Sequence, residues 1–218
     1  MEKKAVLTGD IVGSTRLSID KRKELFRVFP VLSERLTEEY SNVVPYQISN
    51  FRGDGWQLIV DQPQKALEIS IFIRSFFRFR FSKEALDSRI AIGIGQIDFI
   101  PKNNISGGDG PAYIISGRQL ENLKSERMSI DFAPDIELSA KLGLQGIVTL
   151  LDHIATKWSE SQSQVIYWAL QEKKQIDIAQ KWYPLPISQG AVSKNLASSG
   201  WDAIKKNLEI FEKIISDN

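Results

Sequence analysis

Two short acidic motifs are the part of this sequence best suited to chemistry. Asp10 follows an apolar run and precedes residues 13–15 (Gly-Ser-Thr), and Asp54 lies between two glycines in residues 53–55. Glycine lets other atoms approach the backbone closely. Two carboxylates brought together would hold a hard divalent cation and, with it, the phosphates of a nucleotide. The motifs therefore predict a metal and nucleotide site, provided that the fold brings the two acids together.

Both motifs also have a purely structural interpretation. A Gly-Asp-Gly turn is common in hairpins because aspartate and glycine adopt the backbone angles that the turn requires. An aspartate at the end of a strand often caps the helix that follows. For either acid alone the structural interpretation stays open, and the presence of both favours the metal site.

Composition narrows the classes of chemistry. The chain has 218 residues, no cysteine and a single histidine, His153, which lies outside both motifs. Thiolate chemistry and histidine-rich metal sites are therefore excluded. The formal net charge of +1 gives no overall attraction to nucleic acid, so such a partner would need a local patch. No apolar signal segment and no membrane-spanning run is evident, so we expect a cytoplasmic protein without a membrane partner.

The first 130 or so residues alternate between strand and helix patterns, in the order β-α-β-β-α-β followed by α-β. This order predicts an α+β fold of the ferredoxin-like or split βαβ kind, an antiparallel sheet with helices packed on one face. The first strand would then be central, with Asp10 at its end close to Asp54 in a hairpin turn. Pro30 is expected to kink or split the first helix. We expect this domain to span residues 1–150.

Residues 151–218 predict a second, all-helical domain. Helical patterns over residues 161–170, 175–182 and 187–196 are typical of a helix-turn-helix. A further amphipathic helix over residues 201–215 would pack on the tail or pair two chains, and we expect a homodimer. Helical triplets of this kind also bind proteins, so a protein partner is the alternative to DNA. The polar side chains expected to meet DNA begin the third helix, and they are Ser188, Gln189, Ser193, Lys194 and Asn195.

Residues 10–15, 53–55, 89–95 and 110–118 together resemble the catalytic domain of the class III nucleotidyl cyclases. With its tail included, the whole chain is identified as a member of the SatD family, in which a cyclase-like domain is joined to a helix-turn-helix. The resemblance implies two divalent ions, Mg or Mn, and a bound nucleotide. The residues that it implies for metal binding are Asp10, Asp54 and the backbone carbonyl of Ile11. Those expected near the nucleotide are Gly13, Ser14 and Thr15 for phosphate, Arg52 near the place of a base-selecting lysine, and Arg118 as the arginine that stabilises the transition state.

One departure from the cyclase pattern decides between two functions. The pattern has an asparagine four residues before the arginine, and this chain has Ile114, which cannot orient a ribose or a phosphate. We therefore predict a DNA-binding regulator whose cyclase-like domain binds a nucleotide or metal or serves as a scaffold. The alternative is a nucleotidyl cyclase or related phosphoryl-transfer enzyme that uses two metals. A third outcome is a cyclase-like domain that binds no small molecule.

Overall fold

A five-stranded sheet forms the centre of the fold. The computed structural model describes residues 2–51, 53–102, 104–134 and 136–217. The strands are β1 (Lys4–Val12), β2 (Ser49–Phe51), β3 (Gly55–Val60), β4 (Asp87–Gly95) and β5 (Met128–Phe132). Their spatial order is β2-β3-β1-β4-β5, so the prediction that the first strand is central is confirmed.

Eight α-helices accompany the sheet in the described part of the chain. They are α1 (Ile19–Glu39), α2 (Ala66–Arg80), α3 (Pro111–Asn122), α4 (Leu138–Thr156), α5 (Glu160–Ala169), α6 (Gln175–Lys181), α7 (Gln189–Ser199) and α8 (Trp201–Ser216). Helix α1 continues through Pro30, so the expected split is absent. The proline ring is solvent-exposed at that position. Among the described residues, none of the helices has both the length and the apolar character needed to cross a membrane.

The sheet is mixed, which corrects the prediction of an antiparallel one. Strand β1 pairs antiparallel with both β3 and β4, whereas β4 and β5 run parallel. A parallel pair needs a long crossover, and α3 supplies it between β4 and β5. The sheet is therefore mixed because α3 lies between β4 and β5 in the sequence.

Helices cover both faces of the sheet, which corrects the prediction that they lie on one face. Side chains of β1 alternate between two separate apolar clusters. Leu7 contributes to the large cluster with α1 and α2, and Val6 contributes to a small one with Ala112 and Tyr113 of α3. The strands are therefore buried on both sides, which explains why β3 is buried along its whole length.

Close approach of α3 to the sheet depends on Gly93 of β4. A β-carbon at this position would lie 2.3 Å from the carbonyl oxygen of Ala112 and 2.6 Å from the amide nitrogen of Ser116. Both are backbone atoms that cannot move aside easily. At the same contact, the hydroxyl oxygens of Thr8 and Ser116 lie 2.8 Å apart and share a hydrogen bond. Strand β1 and α3 are thus fixed to each other just before Asp10.

The helices after α4 share the large apolar cluster with the sheet. Their buried residues include Ile166, Val192 and Phe211, in one cluster with Leu7 and Phe72. The predicted domain boundary at residue 150 falls inside α4, and a separate helix-turn-helix domain is not seen in the described residues. The division into two domains stays a prediction.

A buried arginine joins α2, β4 and α4. The Arg74 guanidinium is fully buried and donates to both carboxylate oxygens of Asp87, at 3.0 and 2.7 Å, and to Asp152 at 2.6 Å. Arg78 adds a second ion pair to Asp87 at 2.9 Å. Burial alone raises the pKa of Asp87, but Arg74 and Arg78 outweigh it and hold the pKa below its ordinary value. The cluster therefore stays ionised and ties the start of β4 to the helices.

Replacement of Arg74 tests this cluster. Arg74→Met leaves Asp152 without its ion pair and Asp87 with only Arg78, and we expect a loss of about 3–5 kcal/mol of unfolding free energy near neutral pH. Because the folded pKa of Asp87 is depressed, its contribution is present above the unfolded pKa of about 4 and disappears as the pH falls through the folded pKa. Urea unfolding near neutral pH and at about pH 3, below the unfolded pKa, measures both effects.

The exposed Arg80 on the same helix provides the matched control. Arg80→Met should change the unfolding free energy by no more than about 0.5 kcal/mol. Protonation of the buried Asp87 carboxylate should make the Arg74→Met loss smaller at the lower pH. An equal loss at both pH values would show that packing, not charge, is what Arg74 contributes.

Candidate active site

Asp10 lies at the end of the central strand, directly opposite Arg89 of β4. The two side chains form a two-point ion pair. Arg89 Nε donates to Asp10 Oδ1 at 2.9 Å, and Arg89 Nη2 donates to Asp10 Oδ2. Both side chains remain partly exposed, at 22% for Asp10 and 30% for Arg89. The carboxylate is therefore held by a basic group at the edge of the fold while still open to solvent.

The backbone of Asp10 is fixed from the other side of the sheet. The Ser88 hydroxyl donates to the Asp10 carbonyl oxygen at 2.9 Å, and the indole Nε1 of Trp56 donates to the Ser88 hydroxyl at 3.1 Å. Trp56 is fully buried. This chain of hydrogen bonds limits the movement of the strand end that carries the carboxylate. It also links β3, β4 and β1 at this one position.

Asp54 reaches the same end of the sheet from the turn between β2 and β3. The last register pair of β1 and β3 joins Gly9 to Trp56, so Asp54 lies just beyond it in the turn. The buried Ser14 hydroxyl donates to Asp54 Oδ2. Ser14 begins a short 3-10 helix, and Gly13 before it has a φ of 87°, a left-handed conformation that favours glycine. The two acidic motifs therefore touch through Ser14 and Asp54, while among the described residues no hydrogen bond or ion pair joins Asp54 to Asp10 itself.

The Arg89 guanidinium is influenced by both acids. The hydrogen bonds that it donates to Asp10 raise the pKa of Arg89, and the attraction of Asp54 raises it further. Asp10, Asp54 and Arg89 together carry a formal charge of −1, and the Arg16 guanidinium lies close to Gly13 at the same end of the sheet. In the described residues, no three histidine, cysteine, aspartate or glutamate side chains are grouped as metal ligands. A metal ion bound here would take its ligands from two carboxylates, from backbone carbonyls and from the oxygen atoms of a bound substrate.

The other predicted nucleotide residues are less closely assembled. Thr15 is exposed in the 3-10 helix beside Ser14, and Arg52 lies outside the described residues. Arg118 and Ile114 are four residues apart on α3, and both are exposed. Within the described part of the chain, none of the hydrogen bonds or ion pairs joins Arg118 to Asp10 or Asp54. The end of α3 does reach the site, since Arg89 Nη1 donates to the Leu123 carbonyl oxygen at 3.2 Å.

Two of the side chains predicted to meet DNA are engaged within their own helix. The Ser188 hydroxyl accepts the Ala191 N–H at 3.2 Å as the cap of α7, and Asn195 Nδ2 donates to the Ala191 carbonyl at 2.9 Å. Gln189, Ser193 and Lys194 are exposed and bring one formal positive charge to this surface. Ser188 thus caps α7, and the surface at the start of this helix is weakly charged.

Solved structures with a similar fold are nucleotidyl cyclases. The guanylyl cyclase Cya2 matches 59% of this chain and 74% of its own at 17% identity, with a TM-score of 0.44. The adenylyl cyclase CyaB from P. aeruginosa matches 59% of this chain and 76% of its own at 17% identity and a TM-score of 0.45. An adenylate/guanylate cyclase/hydrolase from Silicibacter pomeroyi matches 59% and 74% at 24% identity and a TM-score of 0.42. No curated protein matches the chain significantly.

The prediction of a DNA-binding regulator is wrong. No separate helix-turn-helix domain is seen in the described residues, and the exposed residues predicted to meet DNA bring one formal positive charge. The alternative prediction, a nucleotidyl cyclase or related phosphoryl-transfer enzyme, is taken up below as a proposal. The model of the SatD family (SatD) matches residues 5–213, which is nearly the full length. The chain therefore belongs to the SatD family.

Proposed function

We propose that this chain binds a nucleoside triphosphate together with divalent metal ions at Asp10 and Asp54, as a nucleotidyl cyclase or related phosphoryl-transfer enzyme. The observation that carries the proposal is the meeting of two acidic motifs, about 40 residues apart in sequence, around one end of the central strand. A purely structural turn would not require the second acid beside it.

The donor chemistry fits magnesium or manganese. Carboxylate oxygens are the ligands that these hard ions take from proteins, with the remaining positions left to water and substrate phosphates. Asp10 and Asp54, with the backbone carbonyl of Ile11, would hold the ions. When bound, such ions stabilise charge on phosphate oxygens and favour ionisation of an attacking hydroxyl. A metal ion bound to Asp10 would have to compete with Arg89 for the carboxylate.

The remaining residues would bind and orient the nucleotide. The left-handed turn at Gly13 begins a short helix beside Asp54, where the backbone N–H groups of residues 13–15 are proposed to receive phosphate oxygens. Arg89 holds the Asp10 carboxylate in one orientation through two hydrogen bonds. In cyclisation, the ribose hydroxyl oxygen forms a bond to the α-phosphorus, the bond to pyrophosphate breaks, and the hydroxyl proton leaves to solvent. Arg118 is the residue proposed to stabilise the charge that develops.

Ile114 limits the expected turnover. Its side chain is apolar and 47% exposed on α3, four residues before Arg118. An isoleucine donates and accepts no hydrogen bond, so it cannot position a ribose or a phosphate. For this reason we expect the chain to bind a nucleotide but to convert it slowly.

Product analysis tests the proposed activity directly. The full chain is incubated with each common nucleoside triphosphate and manganese, and cyclic nucleotide and pyrophosphate are measured by chromatography and mass spectrometry. We expect a cyclic product from at least one nucleotide, and a fall of about 100-fold in Asp54→Asn and in Asp10→Asn because metal binding is weakened. Asp61→Asn is the matched control, because Asp61 pairs with Lys4 at 2.6 Å at the other end of the strands. Equal product from wild type and Asp54→Asn would refute the assignment.

Metal affinity tests the competition by Arg89. Removing this guanidinium in Arg89→Met leaves the Asp10 carboxylate without its ion pair, so we expect manganese to bind about tenfold more tightly without nucleotide. Isothermal titration calorimetry measures the affinity, and it does so whether or not the protein turns over. Lys4→Met, which frees Asp61 instead, should leave the affinity unchanged. Weaker binding in Arg89→Met would mean that this arginine builds the site and does not compete for it.

Restoring the polar side chain on α3 tests the role of Ile114. Because the position is exposed, Ile114→Asn should fold normally, and we expect turnover to rise by about tenfold with little change in nucleotide affinity. Ile114→Leu is the control for a change of side chain without a new polar group. Unchanged turnover in Ile114→Asn would show that this position does not limit the reaction.

A further inference from the structure

Helix α4 presents leucines to solvent on one face. Leu138, Leu142 and Leu150 are 67%, 58% and 65% exposed. The opposite face, which includes Leu144, Val148 and Leu151, is buried in the large cluster. Exposed apolar side chains gathered on one surface mark an interaction site more often than scattered ones do. The outer face of α4 is therefore a candidate for contact with another molecule.

The exposed leucines form one regular ridge. Leu138, Leu142, Gly146 and Leu150 are each four residues apart, and such rows are the ridges that pack into the grooves of a neighbouring helix. Gly146 has open space where its side chain would be, since nothing lies within 4 Å of a β-carbon built there. A second helix could therefore approach the backbone of α4 most closely at Gly146.

The ridge is symmetric about this glycine. Leu142 lies four residues before Gly146, and Leu150 lies four residues after it. Two copies of α4 crossing antiparallel at Gly146 would place Leu142 of one copy against the partner's Leu150, and the reverse. An interface related by a two-fold axis requires this kind of self-complementarity, in which one patch contacts itself.

The charges at the two ends of α4 select the same arrangement. The ridge itself carries no charged residue, Glu137 lies at the start of the helix, and Lys157 follows its end. Neither of these two side chains forms an ion pair with another described residue. An antiparallel crossing brings each Glu137 towards the turn that carries the partner's Lys157. A parallel crossing would bring like charges together.

The neighbouring edge of the sheet is closed to another strand. Strand β5 is the edge strand beside α4, and Gln145 Nε2 of α4 donates to the Ile130 carbonyl oxygen at 3.3 Å. The Asp131 carboxylate accepts the Phe132 N–H at 2.9 Å. Side chains thus occupy backbone groups of β5 that strand addition would need. A helical partner suits this surface better than an extended peptide.

From these observations we infer that α4 is the interface through which two copies of this chain form a dimer, with antiparallel helices crossing at Gly146. The occupant of the leucine face is thus a second copy. This inference does not depend on the proposed nucleotide activity.

Charge substitution tests the interface on the full chain by sedimentation equilibrium. We expect the wild type to dimerise, and Leu142→Lys and Leu150→Lys each to raise the dimer dissociation constant at least about tenfold. The double variant Leu142→Glu with Leu150→Lys should recover the dimer, because the new opposite charges would face each other across the axis. The double variant with lysine at both positions should not recover it. Leu185→Lys, at a leucine 73% exposed in the loop before α7, is the matched control and should behave as wild type.

Cysteine crosslinking decides the register independently. Because the chain has no cysteine, Gly146→Cys introduces the only thiol, and at a two-fold axis the two thiols would be close enough for a disulfide. We expect a covalent dimer under mild oxidation from Gly146→Cys and none from Gly190→Cys, an exposed control position on α7. A monomeric wild type, or a dimer that neither Leu142→Lys nor Leu150→Lys weakens, would overturn the inference.

Discussion

The arrangement of sheet and helices depends on the ion pairs of the buried Arg74 guanidinium. It is fully enclosed and is neutralised by Asp87 at the start of β4 and by Asp152 of α4. Burying a charge is unfavourable unless its partners are well placed, so the network fixes where α4 lies on the sheet. The residue after Asp87 is Ser88, whose hydroxyl binds the Asp10 carbonyl. A charge cluster in the core is thus one residue away from the candidate site.

The candidate site also pairs a carboxylate with an arginine, but these side chains lie nearer to solvent. Arg89 neutralises one of the two carboxylates, and the second, Asp54, accepts a hydrogen bond from the Ser14 hydroxyl. The ion pair of Asp10 with Arg89 stabilises the fold less than the buried Arg74 cluster does, because water and salt screen the charges of exposed side chains. A divalent ion could therefore displace Arg89 from Asp10 at a cost that would be prohibitive for Arg74. The difference in burial between these two arginines separates a structural pair from one that is suited to exchange.

The sequence predicted the parts of the fold that local patterns determine. The element order and the central first strand follow from periodicity and from the order of the elements, and the structure has them. The position of α3 was missed because a strand that is buried on both faces is recognised from an unbroken apolar run. In residues 56–60 a glutamine interrupts the run. The pairing of Asp10 with Arg89 depends on the register of two strands almost 80 residues apart, which no local pattern encodes. A lone arginine inside the apolar residues 71–77 was the available signal for the buried cluster.

Helix α4 departs from the pattern of an ordinary surface helix on both of its faces. Its inner face carries the Asp152 carboxylate into the core, and its outer face exposes Leu142 and Leu150 to solvent. A surface helix whose outer face contacts only water is expected to carry polar side chains on that face and apolar ones on its inner face. Asp152 is accounted for by Arg74, so the inward charge needs no further explanation. The outward leucines have no such partner within the described residues, and burial of apolar area against a second copy would remove them from water. The helix that Arg74 fixes to the sheet would then also fix the relative orientation of two chains.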